Sequence, residues 1–126
     1  MHDFLNERKR YYSEAMDNPG ASEDYIDEGR YEVTDGGFAN LTSSELSGYP
    51  RLHMPSLDLD FEAHLEPSTT PGHFHLYLNK AVSWEAYVKL LDALFDAGLI
   101  EYGFWHLSKE RGGSFLRYPG HKKVKR

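Results

Sequence analysis

The sequence predicts a single α+β domain, in which an antiparallel sheet of about four strands is covered on one face by a helix. Within residues 57–79, the stretches 57–65 and 73–79 alternate apolar and polar side chains, as paired strands do. Residues 83–97 carry apolar side chains at helical spacing. Two further strand-like stretches follow that helix. The predicted order of the compact part is therefore β-β-α-β-β, preceded by an N-terminal helix.

We expect three parts along the chain of 126 residues. Residues 1–50 form an N-terminal helix, predicted over 4–16, and an acidic irregular arm with a short strand at 31–34. Residues 51–120 form the compact α+β domain, and residues 121–126 form a basic tail. The arm is rich in Gly, Ser and acidic residues. The same composition also suits an extension that becomes ordered only on a partner.

The two strands predicted within residues 57–79 separate an apolar face from a titratable face, because strand side chains have a period of two. The apolar face consists of Leu57, Leu59, Phe61, Ala63, Leu65, Phe74, Leu76 and Leu78. The titratable face consists of Asp58, Asp60, Glu62, His64, His73, His75, Tyr77 and Asn79. If the two strands pair so that their apolar side chains share one face, the numbers of any two opposite residues add up to an odd number, as for Asp60 opposite Tyr77.

Residues 83–97 are predicted to form the main helix and to pack on the apolar face of this hairpin. Ser83 is a candidate N-cap, and Gly98 can end the helix in a left-handed conformation. One stripe of the helix carries Trp84, Tyr87, Val88, Leu91, Leu94 and Phe95. Residues 99–107 and 114–118 are predicted to be the last two strands.

Charge is unevenly distributed along a chain whose net charge is −6. Residues 1–50 carry four basic and eleven acidic side chains, whereas residues 111–126 carry six basic and no acidic side chains. The basic end is a candidate nucleic-acid contact. The residues of that contact are Arg117, Lys122, Lys123, Lys125 and Arg126. A basic tail also suits binding to the acidic body of the same chain, or improved solubility.

The absence of cysteine excludes disulfides, thiolate catalysis and cysteine-ligated zinc. No apolar run approaches the ~18 residues that a membrane span needs, and the N-terminus lacks a signal-peptide pattern. We therefore expect a cytoplasmic protein that does not cross a membrane.

The titratable face is the candidate metal site, with Asp58, Asp60, His73 and His75 as ligands. Cross-strand neighbours lie about 5 Å apart, so carboxylates and imidazoles on one face can share a divalent cation. Oxygen and imidazole ligands suit Mg²⁺, Mn²⁺ or Zn²⁺. An ordinary solvent-exposed sheet face shows the same alternation. Both interpretations stay open.

The loop between the two strands is the candidate phosphate site. Its candidate residues are Ser68, Thr69 and Gly72, together with His75 on the following strand. Hydroxyl groups and backbone N–H groups of a turn can hold a phosphate. Two prolines and a glycine in residues 66–72 also suit an ordinary rigid turn.

Three short motifs follow one another in the second half of the chain. They are Leu57-Asp58-Leu59-Asp60, the turn and strand with Ser68, Gly72, His75, Leu76 and Tyr77, and Arg117 with Pro119, Gly120 and Lys122. Together they resemble motifs of the archaeo-eukaryotic primase–polymerase superfamily. The resemblance implies that Asp58 and Asp60 hold a divalent metal and that His75 contacts a nucleotide phosphate. Residues 103–106 lack the family's third acidic motif, so a nucleotide- or nucleic-acid-binding relative is implied rather than a complete polymerase.

The overall make-up, including residues 68–77, resembles small proteins encoded by phages of actinobacteria. The function hypothesis is a small phage-type cytoplasmic protein that binds nucleotide or nucleic acid, with a divalent metal on the Asp/His face. If catalytic, it acts on a phosphate ester or phosphoanhydride. The alternative is a non-enzymatic protein-interaction module that binds a host factor or a virion component and has no metal site.

Overall fold

The computed structural model describes residues 3–14, 29–34 and 37–121. The chain divides into two compact units, Met1–Asp58 and Leu59–Arg126. The described residues contain a four-stranded antiparallel sheet, a two-stranded antiparallel sheet and two α-helices. The predicted α+β class, with about four strands in the main sheet, is confirmed. The strands of that sheet nevertheless come from a different part of the chain than we expected.

The first unit holds the four-stranded sheet, which follows a short 3-10 helix at Asp3–Leu5. Its strands are β1 (Arg8–Tyr12), β2 (Tyr31–Val33), β3 (Leu41–Leu46) and β4 (Tyr49–His53), in the order β2-β1-β3-β4. Each neighbouring pair is antiparallel. The short strand expected at residues 31–34 is therefore present as β2.

The predicted N-terminal helix over residues 4–16 was wrong, because residues 8–12 form the strand β1. This strand pairs with β2 on one side and with β3 on the other, so its backbone groups find partners far along the chain. Its side chains also follow a period of two. Lys9 and Tyr11 both approach Glu45, whereas Tyr12 packs on Tyr31 at 5.7 Å between ring centroids. Long-range pairing overrides the helical spacing that the local sequence suggests.

The acidic arm is more regular than we expected at residues 41–50, where it contributes to a β-hairpin. Residues 41–46 and 49–50 lie in β3 and β4, and β4 runs across the predicted boundary between residues 50 and 51. A two-residue turn, Ser47-Gly48, joins these strands, and the φ of 83° at Gly48 suits a tight hairpin. Residues 15–28 and 35–36 of the arm lie outside the described residues.

The second unit contains the hairpin and two helices: β5 (Ala63–Pro67), β6 (Phe74–Leu78), α1 (Trp84–Asp96) and α2 (Tyr102–Arg111). The main helix and its cap were predicted correctly. The Ser83 hydroxyl accepts a hydrogen bond from the Ala86 N–H at 3.1 Å, and Gly98 follows the helix with a φ of 76°. Leu91, at the centre of the predicted stripe, is 1% exposed and is the one buried apolar side chain among the described residues.

The predicted strand at residues 99–107 was wrong, because Tyr102–Arg111 is a helix. In this helix Trp105 lies one turn after Tyr102, so both rings reach Phe95 of α1. The Trp105 and Phe95 rings are stacked with centroids 4.4 Å apart, and the Tyr102 ring lies 6.1 Å from Phe95. Gly112 then ends α2 with a φ of 71°.

The predicted final strand at residues 114–118 was also wrong, because these residues pair with no strand among those described. Side-chain hydroxyls hold the start of this segment instead. The Ser114 hydroxyl donates to the buried Ser108 hydroxyl at 2.8 Å and lies 2.6 Å from the Tyr87 hydroxyl. Within the described ranges, neither helix is long and apolar enough to cross a membrane.

Candidate functional site

The β5–β6 hairpin positions most of the candidate residues, and its faces are divided as the sequence predicts. Ala63 lies opposite Leu78, Leu65 opposite Leu76 and Pro67 opposite Phe74. On the other face, His64 lies opposite Tyr77 and Glu66 lies opposite His75. Every pair has an odd sum of residue numbers, so the apolar side chains share one face. The pairing is offset by four residues from the example with Asp60 opposite Tyr77.

Asp58 and Asp60 do not belong to a strand, which corrects the expectation that β5 begins at residue 57. The ladder ends where the Asn79 N–H donates to the Glu62 carbonyl at 2.9 Å. In this register the partner of Asp60 would be Ala81, which lies beyond the end of β6. Asp58 and Asp60 are exposed, and Asp58 is the last residue of the first unit.

The predicted metal ligands therefore occupy different local environments. Asp60 precedes β5, His73 lies in the turn, and His75 projects from β6 as a half-buried side chain. Across residues 3–14, 29–34 and 37–121, no three His, Asp or Glu side chains form a group that could hold a metal ion. His64, which we did not choose as a ligand, places its Nε2 atom 2.5 Å from Glu62 Oε1. The divalent metal stays a prediction from the sequence.

The turn between the strands uses several of its own polar groups. The Ser68 N–H donates to the His73 carbonyl at 2.8 Å, and the Thr70 N–H donates to the Ser68 hydroxyl at 3.1 Å. Gly72 adopts a φ of 79°, which an L side chain rarely tolerates. Backbone N–H groups that donate within the turn are not free for a phosphate. Ser68 therefore contributes to the turn itself more than to a phosphate cradle.

Two of the predicted ligand-contacting residues, Arg117 and Thr69, lie together at this turn. The Arg117 Nη2 atom donates to the Thr69 hydroxyl at 3.2 Å, and both residues are exposed. A guanidinium beside a hydroxyl is a suitable arrangement for a phosphate oxygen. The other predicted nucleic-acid contacts, Lys122, Lys123, Lys125 and Arg126, lie outside the described residues.

The apolar side of the hairpin is exposed, although we expected α1 to cover it. We call Leu65, Phe74, Leu76 and Leu78 the apolar hairpin face. The exposed fractions of these residues are 63%, 60%, 58% and 41% respectively. On the opposite face, His75 and Tyr77 are half-buried. The residues of the apolar hairpin face were identified from the sequence, but the alternating pattern does not distinguish a covered face from an open one.

The second unit also contains a charged cluster that the sequence did not reveal. Asp92 on α1 accepts a hydrogen bond from the Trp105 indole N–H at 2.7 Å and another from the Lys109 ammonium at 3.0 Å. The Lys109 ammonium also lies over the Trp105 ring, 4.5 Å from its centroid. The bonds from Trp105 and Lys109 lower the pKa of Asp92. This cluster joins the two helices.

A comparable cluster lies in the first unit, around Glu45 on β3. Its carboxylate accepts hydrogen bonds from the Tyr11 hydroxyl at 2.8 Å and from the Ser43 hydroxyl at 2.9 Å. These bonds, followed by the charge of Lys9, lower the pKa of Glu45. The same bond to Glu45 raises the pKa of Tyr11. Because Tyr11 and Lys9 lie on β1 and Glu45 lies on β3, the cluster links these two strands.

The chain was compared with protein-family models, with curated proteins and with solved structures, and no match was found in any of the three.

Proposed function

We propose that this protein is a protein-interaction module that binds another protein chain through the apolar hairpin face. The observation that carries the proposal is the exposure of Leu65, Phe74, Leu76 and Leu78 on one side of a regular hairpin. Scattered single apolar residues are common on protein surfaces, whereas a contiguous apolar patch marks an interaction site. Leu65 lies opposite Leu76, and Phe74 and Leu78 are the next side chains on the same face of β6. The four side chains therefore form one contiguous patch.

The size of the patch supports the same proposal. The four side chains together expose on the order of 400 Å², which lies within the range of functional patches on protein surfaces. Burying that area contributes roughly 10 kcal/mol before the costs of association are subtracted. A two-stranded hairpin is also only marginally stable alone and gains stability from a further strand or a covering surface. A partner on this face therefore satisfies a requirement of the hairpin itself.

Photo-crosslinking tests the proposal directly. The photoreactive amino acid p-benzoylphenylalanine replaces Phe74 on the apolar hairpin face, and in a second variant it replaces Phe38. Phe38 is a matched control, because it is a phenylalanine of the first unit that is 73% exposed. After irradiation of cells that express the chain, adducts are separated by mass and their second component is identified by mass spectrometry.

We expect a discrete protein adduct from position 74 and none from position 38, because only position 74 lies on the proposed contact surface. No adduct at position 74, or the same adducts from both positions, would show that this face is not a specific contact.

A second candidate function is binding of a phosphate-bearing ligand, a nucleotide or a nucleic acid, at the turn of the hairpin. The contact between Arg117 and Thr69 favours it, since it places a cation and a hydroxyl side by side at the surface. The basic residues that follow Arg117 in the sequence add positive charge near the chain terminus. The divalent metal predicted from the sequence at Asp58, Asp60, His73 and His75 is separate from this contact and adds no support to it.

Salt-dependent binding to a single-stranded oligonucleotide, followed by fluorescence anisotropy, tests this second candidate. The Arg117→Ala variant is compared with Arg111→Ala, an exposed arginine at the end of α2. We expect Arg117→Ala to weaken binding several-fold and to reduce the salt slope by about one, because one phosphate contact is lost. The candidate is wrong if the wild-type chain binds no oligonucleotide at low salt, or if both variants bind like the wild type.

A further inference from the structure

The hydrogen bonds of the β5–β6 pair determine which backbone groups face outward. Backbone hydrogen bonds join Glu62 to Asn79 at one end of the ladder and Ser68 to His73 at the other end. Because bonded and non-bonded pairs alternate in an antiparallel ladder, the odd-numbered residues of β6 turn their backbone groups towards β5. Phe74, Leu76 and Leu78 therefore turn their N–H and C=O groups outward. These are the same residues that form most of the apolar hairpin face.

The two outer edges of the hairpin differ in their capacity to pair. On β5 the outward positions are Ala63, Leu65 and Pro67, and Pro67 has no N–H to donate. Proline and charged residues are the usual protection of an edge strand. The sequence of β6, Phe-His-Leu-Tyr-Leu, contains no proline, glycine, lysine or carboxylate. Three outward N–H groups and three outward C=O groups remain on its edge, since β6 pairs with β5 alone among the described strands.

We infer that β6 pairs antiparallel with β6 of a second copy of this chain, about a two-fold axis that passes beside Leu76. The inference rests on the proposed function and names its partner. In this arrangement Leu76 lies opposite Leu76 of the second copy, and Phe74 lies opposite Leu78 of the second copy. All outward groups at these positions are then used, which gives six N–H···O=C bonds across the axis.

A second copy fits this edge for three reasons. The two apolar hairpin faces join on one side of a four-stranded sheet, which is large enough to be stable where a single hairpin is marginal. On the other side, His75 lies opposite Tyr77 of the second copy, so no carboxylates meet. The two-fold pairing is also closed, whereas pairing of β6 with β5 of the next copy would continue without limit.

A single engineered cysteine tests the arrangement, because the natural chain contains none. In the proposed dimer the two Leu76 Cα atoms lie about 5.5 Å apart, a distance that a disulfide spans. Leu65→Cys is the matched control. Leu65 is directly opposite Leu76, is similarly exposed and also turns its backbone groups outward. The two Leu65 positions would be three strand spacings apart, about 14 Å, which is too far for a disulfide.

We expect Leu76→Cys to form a disulfide-linked dimer under mild oxidation at least about tenfold faster than Leu65→Cys. Equal rates, or faster linkage at position 65, would overturn the pairing of β6 with β6. Sedimentation velocity of the unmodified chain across a range of concentrations provides a second measurement. It should show a monomer–dimer equilibrium, and a chain that stays monomeric throughout would also overturn the inference.

A proline substitution separates loss of the dimer from loss of the fold. Leu76→Pro removes an N–H that faces outward and spares the bonds between β5 and β6, so far-UV circular dichroism should be unchanged while the dimer is lost. The Leu65→Pro variant should form more dimer than Leu76→Pro, because residue 65 lies on β5 and not on the proposed contact edge. Failure of this inference is distinguishable from failure of the proposed function. If the crosslinked adduct from position 74 contains a different protein, the dimer is wrong and the interaction module stands.

Discussion

At the scale of single residues, hydrogen bonds lower the pKa of two carboxylates in the described part of the chain, Asp92 and Glu45, and neither is a predicted site residue. Asp92 falls within the main helix predicted over residues 83–97 and is not among the candidate site residues. Its partners, Trp105 and Lys109, could not be predicted because residues 99–107 were expected to form a strand. Because residues 102–111 form the helix α2, the Trp105 and Lys109 side chains lie one turn apart and both reach Asp92.

The Asp92→Asn substitution should lower the thermal stability of the protein at neutral pH. The carboxylate accepts two hydrogen bonds, one from a cation, and the lowered pKa of Asp92 indicates that the folded state favours its charged form. We expect the melting temperature to fall by about 2–5 °C. The control is Asp96→Asn, near the end of the same helix, where removing a negative charge should not destabilise.

The difference in stability between the wild type and Asp92→Asn should depend on pH, and its direction follows from the lowered pKa of Asp92. Because the pKa of Asp92 is lower in the folded state, the carboxylate contributes stability above its ordinary value of 3.8. That contribution is lost as the pH falls from this value through the lower pKa of the folded state. Melting curves of the wild type and Asp92→Asn should therefore converge in strong acid. A difference that persists unchanged there would contradict the assignment.

At the scale of elements, local chemistry could be predicted and long-range pairing could not. The N-cap at Ser83, the glycine after α1 and the division of the hairpin faces all follow from short-range patterns. The offset of the hairpin register depends on the bonds within the turn at residues 68–73, which no periodicity encodes. The strand β1 and the helix α2 depend on partners elsewhere in the chain, so propensity and spacing led to the opposite assignments.

The Ser83→Ala substitution tests the best-predicted element. The Ser83 hydroxyl satisfies the Ala86 N–H at the start of α1, so its loss should reduce the free energy of unfolding by about 1 kcal/mol. Ser83→Asp is the matched control, because its carboxylate can accept the same bond and is favoured at a helix N-terminus. Denaturant unfolding provides the measurement. Equal losses in both variants would mean that the cap bond does not stabilise the helix.

At the scale of the whole molecule, each half of the chain forms its own compact unit. The sequence predicted which residues share each face of the hairpin in the second unit, but not which face is open to solvent. Burial depends on how much apolar surface the rest of the unit can offer, and that is a property of all its elements together. Of the predicted site residues, Thr69 and Arg117 are in contact. Asp58 and Asp60 lie outside the ladder that was expected to align them with the histidines.

The central claim is that the apolar hairpin face is a surface for another protein chain. The most direct test is the comparison of photo-crosslinked adducts from position 74 with those from position 38. We predict a specific protein adduct at position 74 only, with the same chain as its second component if β6 pairs with β6. Absence of an adduct at position 74, or identical adducts at both positions, would contradict the claim.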